Sequence, residues 1–149
     1  MNISNRIKDI LHEQIRAYRI LLDVLQRERA YLVQLNPEGV ETLSKEKDTI
    51  ILKLRLLEEE RIRLIRAFAC ETGAPGDLTL QKLQEVTGDD AYAQLRSQML
   101  SLIQAIAEFN EFNKILIEKS AAFVRRTLGF LGTLGASQGK AGGAFSMEA

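Results

Sequence analysis

The sequence predicts an all-α protein, an antiparallel bundle of three long helices plus one short helix with coiled-coil-like packing. Good helix formers dominate the 149 residues, whereas Trp is absent and Pro occurs twice. Two long stretches, residues 3–35 and 90–128, contain neither Pro nor Gly. Apolar residues recur in alternating steps of three and four, the spacing of a seam between packed helices.

The first two long helices are predicted at about residues 3–35 and 37–72. Asn36 is suited to cap the second helix, and Pro37 is suited to its first position. A Gly-Ala-Pro-Gly turn at 73–76 ends that helix. The short break between the two helices predicts that they fold back on each other.

The polar interruptions of the two seams suggest how this hairpin is aligned. With Leu35 opposite Val40, Glu28 faces Lys47 and Gln14 faces Arg61. We therefore predict that these four residues set the register, contributing specificity more than stability because buried charges lose hydration. The alternative is that they lie beside the seam and extend to solvent.

A short helix is predicted at about 79–87, with Thr79 as its cap, and the third long helix at about 89–128. Asn110 and Asn113 lie three residues apart, so they are predicted to share the face that packs on the hairpin. Buried amides need hydrogen-bond partners, so these two are predicted to bind each other or hairpin side chains and to help set the register; binding a ligand is the alternative. Residues 1–134 would form the bundle, and the Gly/Ala/Ser-rich residues 135–149 a flexible tail.

The end of the third long helix carries more apolar surface than its own hairpin can cover. That cover is predicted to end near Val124, because the hairpin is only about 35 residues deep. Apolar surface without intramolecular cover marks a partner site, or a contact with a second copy of the chain. The predicted partner-binding residues are Leu116, Ile117, Phe123, Val124, Leu128, Phe130, Leu131 and Leu134.

Composition excludes several functions. Lys plus Arg and Asp plus Glu each total 20, which argues against a nucleic-acid partner. No apolar run approaches the ~20 residues of a membrane span, so membrane insertion is not expected. A single cysteine, Cys70, allows no intrachain disulfide and favours a cytoplasmic location. His12 is the only histidine, too few for a di-iron site, so no catalytic residue, metal or cofactor is predicted.

The chain resembles the FlgN family of flagellar export chaperones over nearly its whole length. The features that carry this resemblance are spread along the sequence and end in an N-x-x-N pair followed by an aliphatic cluster. They are Glu28 with Leu32, Lys45 or Lys47, the LEEER run from Leu57 to Arg61, the short middle helix, Asn110 and Asn113 with Ile115 and Leu116, and the segment 134–140.

The resemblance implies a cytoplasmic type III export chaperone and no enzyme. Such a chaperone binds the C-terminal helical segment of flagellar hook-associated proteins, prevents their premature polymerisation and delivers them to the export gate. The family's partner surface lies in the C-terminal helix and tail. Many members carry a tyrosine before the tail glycine, where this chain has Leu134. The alternative is a structural or oligomerising helical-bundle adaptor with no export client.

Overall fold

The computed structural model describes residues 2–132, and this part of the chain is helical without a strand. Its elements are α1 (Ile3–Val33), α2 (Pro37–Thr72), α3 (Leu80–Thr87) and α4 (Ala91–Leu131). The predicted fold class, with three long helices and one short helix, is confirmed. The predicted tail at 135–149 lies outside the described residues.

Helix α1 ends two residues before the predicted position because the chain turns into a left-handed conformation. Leu35 has φ 54°, and the N–H groups of Leu35 and Asn36 donate back to Leu32 and Tyr31. This hydrogen-bond pattern closes the C-terminus of the helix. The side-chain oxygen of Asn36 accepts from the Gly39 N–H at 3.1 Å, so Asn36 caps α2 as predicted.

Local signals also position the remaining ends. Thr79 caps α3 by accepting from the Lys82 N–H at 3.1 Å, and Gly88 ends that helix with φ 68°. Helix α4 continues through Gly129 to Leu131, three residues beyond its predicted end. Gly132, with φ 72°, ends it, because glycine enters this region without steric cost.

The chain forms two compact units. The first contains Met1–Leu21 and Thr49–Ala105, and the second contains Leu22–Asp48 and Ile106–Ala149. Each long helix contributes a segment to each unit, whereas α3 belongs to the first alone.

The first unit has an extensive apolar core. Fully buried side chains of all four helices and of the loop before α3 meet there, and the hydroxyl of buried Tyr92 lies 2.7 Å from the Ser4 hydroxyl. The core residues are Ile7, Leu11, Ile15, Leu64, Ile65, Phe68, Ala69, Leu78, Leu83, Tyr92 and Leu95.

A polar contact on α2 organises the other side of this unit. The fully buried Gln14 donates to Glu58 at 3.0 Å, and Arg61 Nε donates to the same carboxylate at 2.9 Å. Gln14 and Arg61 are therefore linked through Glu58, a third residue that the predicted pairing did not include. The run of charges around Glu58 is typical of a solvated helix face, on which Glu58 pairs with Arg61 one turn away. That pattern does not reveal Gln14 as a further partner of Glu58.

The second unit has a smaller core near the turn between α1 and α2. Leu32 and Val40 pack there with Ile117 of α4, and half-buried Tyr31, Leu116, Ala121 and Val124 surround them. Gly39 lies against the Tyr31 ring so closely that a Cβ atom would come within 2.5 Å of it. Tyr31 and Gly39 therefore have complementary sizes.

We expect Gly39→Ala to destabilise the protein by about 1–3 kcal/mol, because the added methyl group overlaps the Tyr31 ring. This loss should outweigh the roughly 1 kcal/mol by which alanine favours a helix over glycine. The measurement is urea unfolding followed by circular dichroism. Gly76→Ala is the matched control because no atom lies near its added Cβ. Equal midpoints for the two variants would contradict the close contact, and the cost should shrink in a Tyr31→Ala background.

We also expect Glu58 to make stability depend on pH. The Arg61 hydrogen bond lowers the pKa of Glu58 below its ordinary value of 4.5, with burial opposing and Gln14 adding to the effect. A lowered folded-state pKa stabilises the fold above the unfolded pKa, and that stabilisation is lost as pH falls through the folded-state pKa. Glu58→Gln should lower Tm at neutral pH and flatten its decline below pH 4.5. The exposed Glu59→Gln should follow the wild-type curve, and a Glu58→Gln curve that does the same would refute the role.

Candidate partner-binding surface

A buried polar cluster in the second unit joins all three of its helical segments. The side chain of Glu28 on α1 is fully buried, and its two oxygens are bound separately. Asn113 Nδ2 of α4 donates to Glu28 Oε1 at 2.8 Å, and Lys47 Nζ of α2 donates to Oε2 at 3.5 Å. The Asn113 amide also donates to the Leu25 backbone carbonyl at 2.9 Å. We refer to Glu28, Lys47 and Asn113 as the polar cluster.

The polar cluster matches the sequence analysis only in part. Glu28 and Lys47 are brought together, and Asn113 binds hairpin groups. Asn110, in contrast, is exposed, so the prediction that it shares the inward face with Asn113 is wrong. Residues three apart on a helix differ by about 60° in direction, and the narrow contact with α1 and α2 accommodates one of the two amides.

Asn113 determines which face of α4 points outward. Its amide must point inward to reach Glu28 and the Leu25 carbonyl, because a buried amide away from these acceptors would lose about 1–3 kcal/mol. At about 100° per residue, its neighbour Phe112 points away from the buried amide, toward the side of the helix. Phe112 is indeed exposed, as are three further apolar residues that follow in the same sector of the helix.

We call this row the outer stripe and define it as Phe112, Ile115, Phe123 and Phe130. Its exposed fraction rises from 42% at Phe112 to 52% at Phe123 and 87% at Phe130. Lys119 and Arg126, both exposed, lie in the same sector between these apolar residues. The outer stripe is therefore apolar and cationic.

Helix α1 contributes Arg29 to one end of the outer stripe. Its guanidinium carbon lies 4.5 Å from the centre of the Phe112 ring and 5.7 Å from that of Phe109. A cation over an aromatic face at an exposed site stabilises by about 0.5–1 kcal/mol. The contact restrains the Phe112 ring while leaving it accessible.

The predicted partner-binding residues are distributed unevenly in the structure. Ile117 is buried in the core of the second unit, and Leu116, Val124 and Leu128 are half-buried. Phe123, Phe130 and Leu131 are exposed, whereas Leu134 lies outside the described residues. Ile117 is on the same face as Asn113, so it packs inside this chain and offers no surface to a partner.

Sequence reasoning missed Phe112, Ile115 and Arg29 as surface residues. The exposure of Phe112 could have been anticipated from the helical row that joins it to Lys119, Phe123 and Phe130. Arg29 has no comparable local signal, because it depends on how α1 and α4 pack.

Side chains that could bind a metal are dispersed over the described residues. Within residues 2–132 there is no group of three metal-binding side chains. Cys70 and His12 are both exposed and lie on different helices. In this same part of the chain, no helix combines the length and apolar character required to cross a bilayer.

The fold and the outer stripe define a helical protein with an exposed apolar face suited to binding another protein. The family model described as FlgN protein matches residues 1–141. The chain belongs to the FlgN family of flagellar export chaperones, which is not a family of enzymes. Comparison with curated proteins and with solved structures gave no significant match.

The polar cluster leads to a stability prediction. Glu28→Ala should cost about 3–5 kcal/mol, because it leaves the Lys47 ammonium and the Asn113 amide without their buried acceptor. Replacing Glu28, Lys47 and Asn113 together with Leu should cost less, since no buried polar group is then stranded. Chemical denaturation measures both free energies of unfolding.

The exposed pair between Lys82 and Glu85 provides the control. Glu85→Ala should change stability by less than about 1 kcal/mol, because solvent screens that contact. A triple leucine variant as unstable as Glu28→Ala would show that packing around the cluster, and not its hydrogen bonding, dominates.

Proposed function

We propose that this protein is a cytoplasmic type III export chaperone for flagellar hook-associated proteins. It would bind their C-terminal helical segment and deliver them to the export gate. The observation that carries the proposal is the outer stripe, an apolar row that remains exposed on α4. Membership of the FlgN family supports the general role.

The proposed mechanism is competition for one surface of the client. A helical segment of a structural subunit exposes apolar residues that its neighbours cover after assembly. Docking that segment on the outer stripe would bury the same residues and thereby prevent polymerisation. The recognition resembles that of an amphipathic helix on an apolar groove, which uses anchors at helical spacing. No cofactor takes part, because binding and release require no covalent chemistry.

The C-terminal end of α4 is the proposed contact for the export gate. Phe130 and Leu131 are 87% and 61% exposed, and they directly precede Gly132. These apolar side chains could replace the tyrosine that many family members carry where this chain has Leu134. Phe130 also belongs to the outer stripe, so the gate and the client would share this end of α4.

The proposal is tested by binding of a C-terminal segment of a hook-associated protein from the same genome. Phe123→Ser/Phe130→Ser should weaken binding at least about tenfold, because buried aromatic anchors often contribute 2 kcal/mol or more each. Calorimetry measures the affinity. Substitution is preferable to truncation after Asn113, which would remove Ile117 from the core.

Leu52→Ser/Leu56→Ser is the matched control, since both leucines are more than half exposed but lie on α2 in the first unit. It should bind like the wild-type chain. Loss of binding in this control with none in the Phe123/Phe130 variant would move the client site to α2. Absence of binding to the wild-type chain, together with a tight dimer in light scattering, would favour the self-associating adaptor.

A further inference from the structure

The outer stripe carries positive charge in addition to apolar surface. Lys119 and Arg126 project within about 40° of the direction of Phe112, at 100° per residue. Both are exposed, and neither forms an ion pair with another residue in the range 2–132. Arg29 adds a third cation beside Phe112.

Acidic residues are excluded from this sector of α4 over most of its length. Between Phe112 and Phe130 the helix carries one acidic residue, Glu118, which points about 120° away from Phe112. Glu108 shares the sector but lies one turn before Phe112, where the outer stripe begins. The cations of the outer stripe therefore have no acidic neighbour along their own helix face.

No acidic residue on the other helical segments of the second unit pairs with Lys119 or Arg126 within residues 2–132. Asp23 and Glu46 both bind Arg27, at 3.0 and 2.9 Å, and Glu28 is enclosed in the polar cluster. These carboxylates are paired with the cations of α1 and α2. The charges of Lys119 and Arg126 thus remain available to an external anion.

From this arrangement we infer that the client helix carries acidic residues beside its apolar face. This inference rests on the proposed function and specifies its client. An aliphatic ridge of the client would lie on Phe112, Phe123 and Phe130. Carboxylates beside that ridge would reach Lys119 and Arg126, with Arg29 at the end near Phe112. Such complementary charge selects partners and speeds their encounter.

A second copy of the chain fits this surface poorly. In a two-fold dimer through the outer stripe, each patch meets its own equivalent, so Lys119 and Arg126 of one copy would face a patch of the same charge. Like charges across an interface are unfavourable. An acidic helix satisfies both the apolar and the cationic part of the surface.

The test uses the full chain and two synthetic amphipathic peptides of about 21 residues. Their leucine ridges are identical, and their flanking positions are all Glu in one and all Lys in the other. Fluorescence anisotropy should show at least tenfold tighter binding of the Glu peptide, weakening as salt is added. Lys119→Glu/Arg126→Glu should reverse the preference. Arg125→Glu, an exposed neighbour on the far side of the helix, should preserve it.

Several results would overturn the inference. They are equal affinity for the two peptides, no binding of either, or an equal loss in the Arg125→Glu control. Binding of the wild-type chain to phosphatidylglycerol vesicles, lost in the Lys119/Arg126 variant without any peptide preference, would assign the surface to lipid. If the hook-associated segment binds the wild-type chain and the Lys119/Arg126 variant equally, the charge inference fails while the proposed function stands. If that segment does not bind the wild-type chain at all, both the charge inference and the proposed function are refuted.

Discussion

The buried contact between Glu28 and Asn113 is the constraint on which the candidate surface depends. A carboxylate taken out of water must be compensated on every side, and here α2 supplies an ammonium while α4 supplies an amide. Apolar packing alone would tolerate small rotations of α4, because leucine and isoleucine contacts are not directional. Hydrogen bonds to fixed acceptors do not tolerate them. The exposure of Phe112 and Phe123 is thus a consequence of chemistry about a quarter turn away around the same helix.

The two units differ in how their stability is distributed. The first encloses a large set of aliphatic and aromatic side chains, together with the short helix α3. The second buries fewer apolar side chains, among them Leu25, Leu32 and Leu43, and it also buries the polar Glu28, Asn113 and Ser120. Its helical segments are therefore held by hydrogen bonds as well as by apolar packing.

Local patterns in the sequence were sufficient to place the four helices, with ends that differ from the structure by at most three residues. Asn36, Thr79 and the glycines each act on neighbouring backbone groups, so their roles can be inferred without knowing the tertiary fold. The pairing of Glu28 with Lys47 could also be anticipated, because a hairpin register follows from one turn. The sequence did not reveal that Asn113 is buried while Asn110 is exposed, or that Glu58 mediates between Gln14 and Arg61. Those outcomes depend on how far each helix is rotated about its own axis relative to its neighbours. The spacing of apolar residues fixes that rotation only to within about one residue position.

The stacking of Arg29 on Phe112 joins two positions that are remote in the chain. An aliphatic residue at position 112 would leave the guanidinium with only the more distant Phe109 ring, and a neutral residue at position 29 would remove the cation from the Phe112 ring. Selection acting on either position is therefore expected to act on both. Across relatives, positions 29 and 112 should therefore change together. The residue at position 29 of the first helix would then indicate whether the last helix carries an aromatic side chain at position 112.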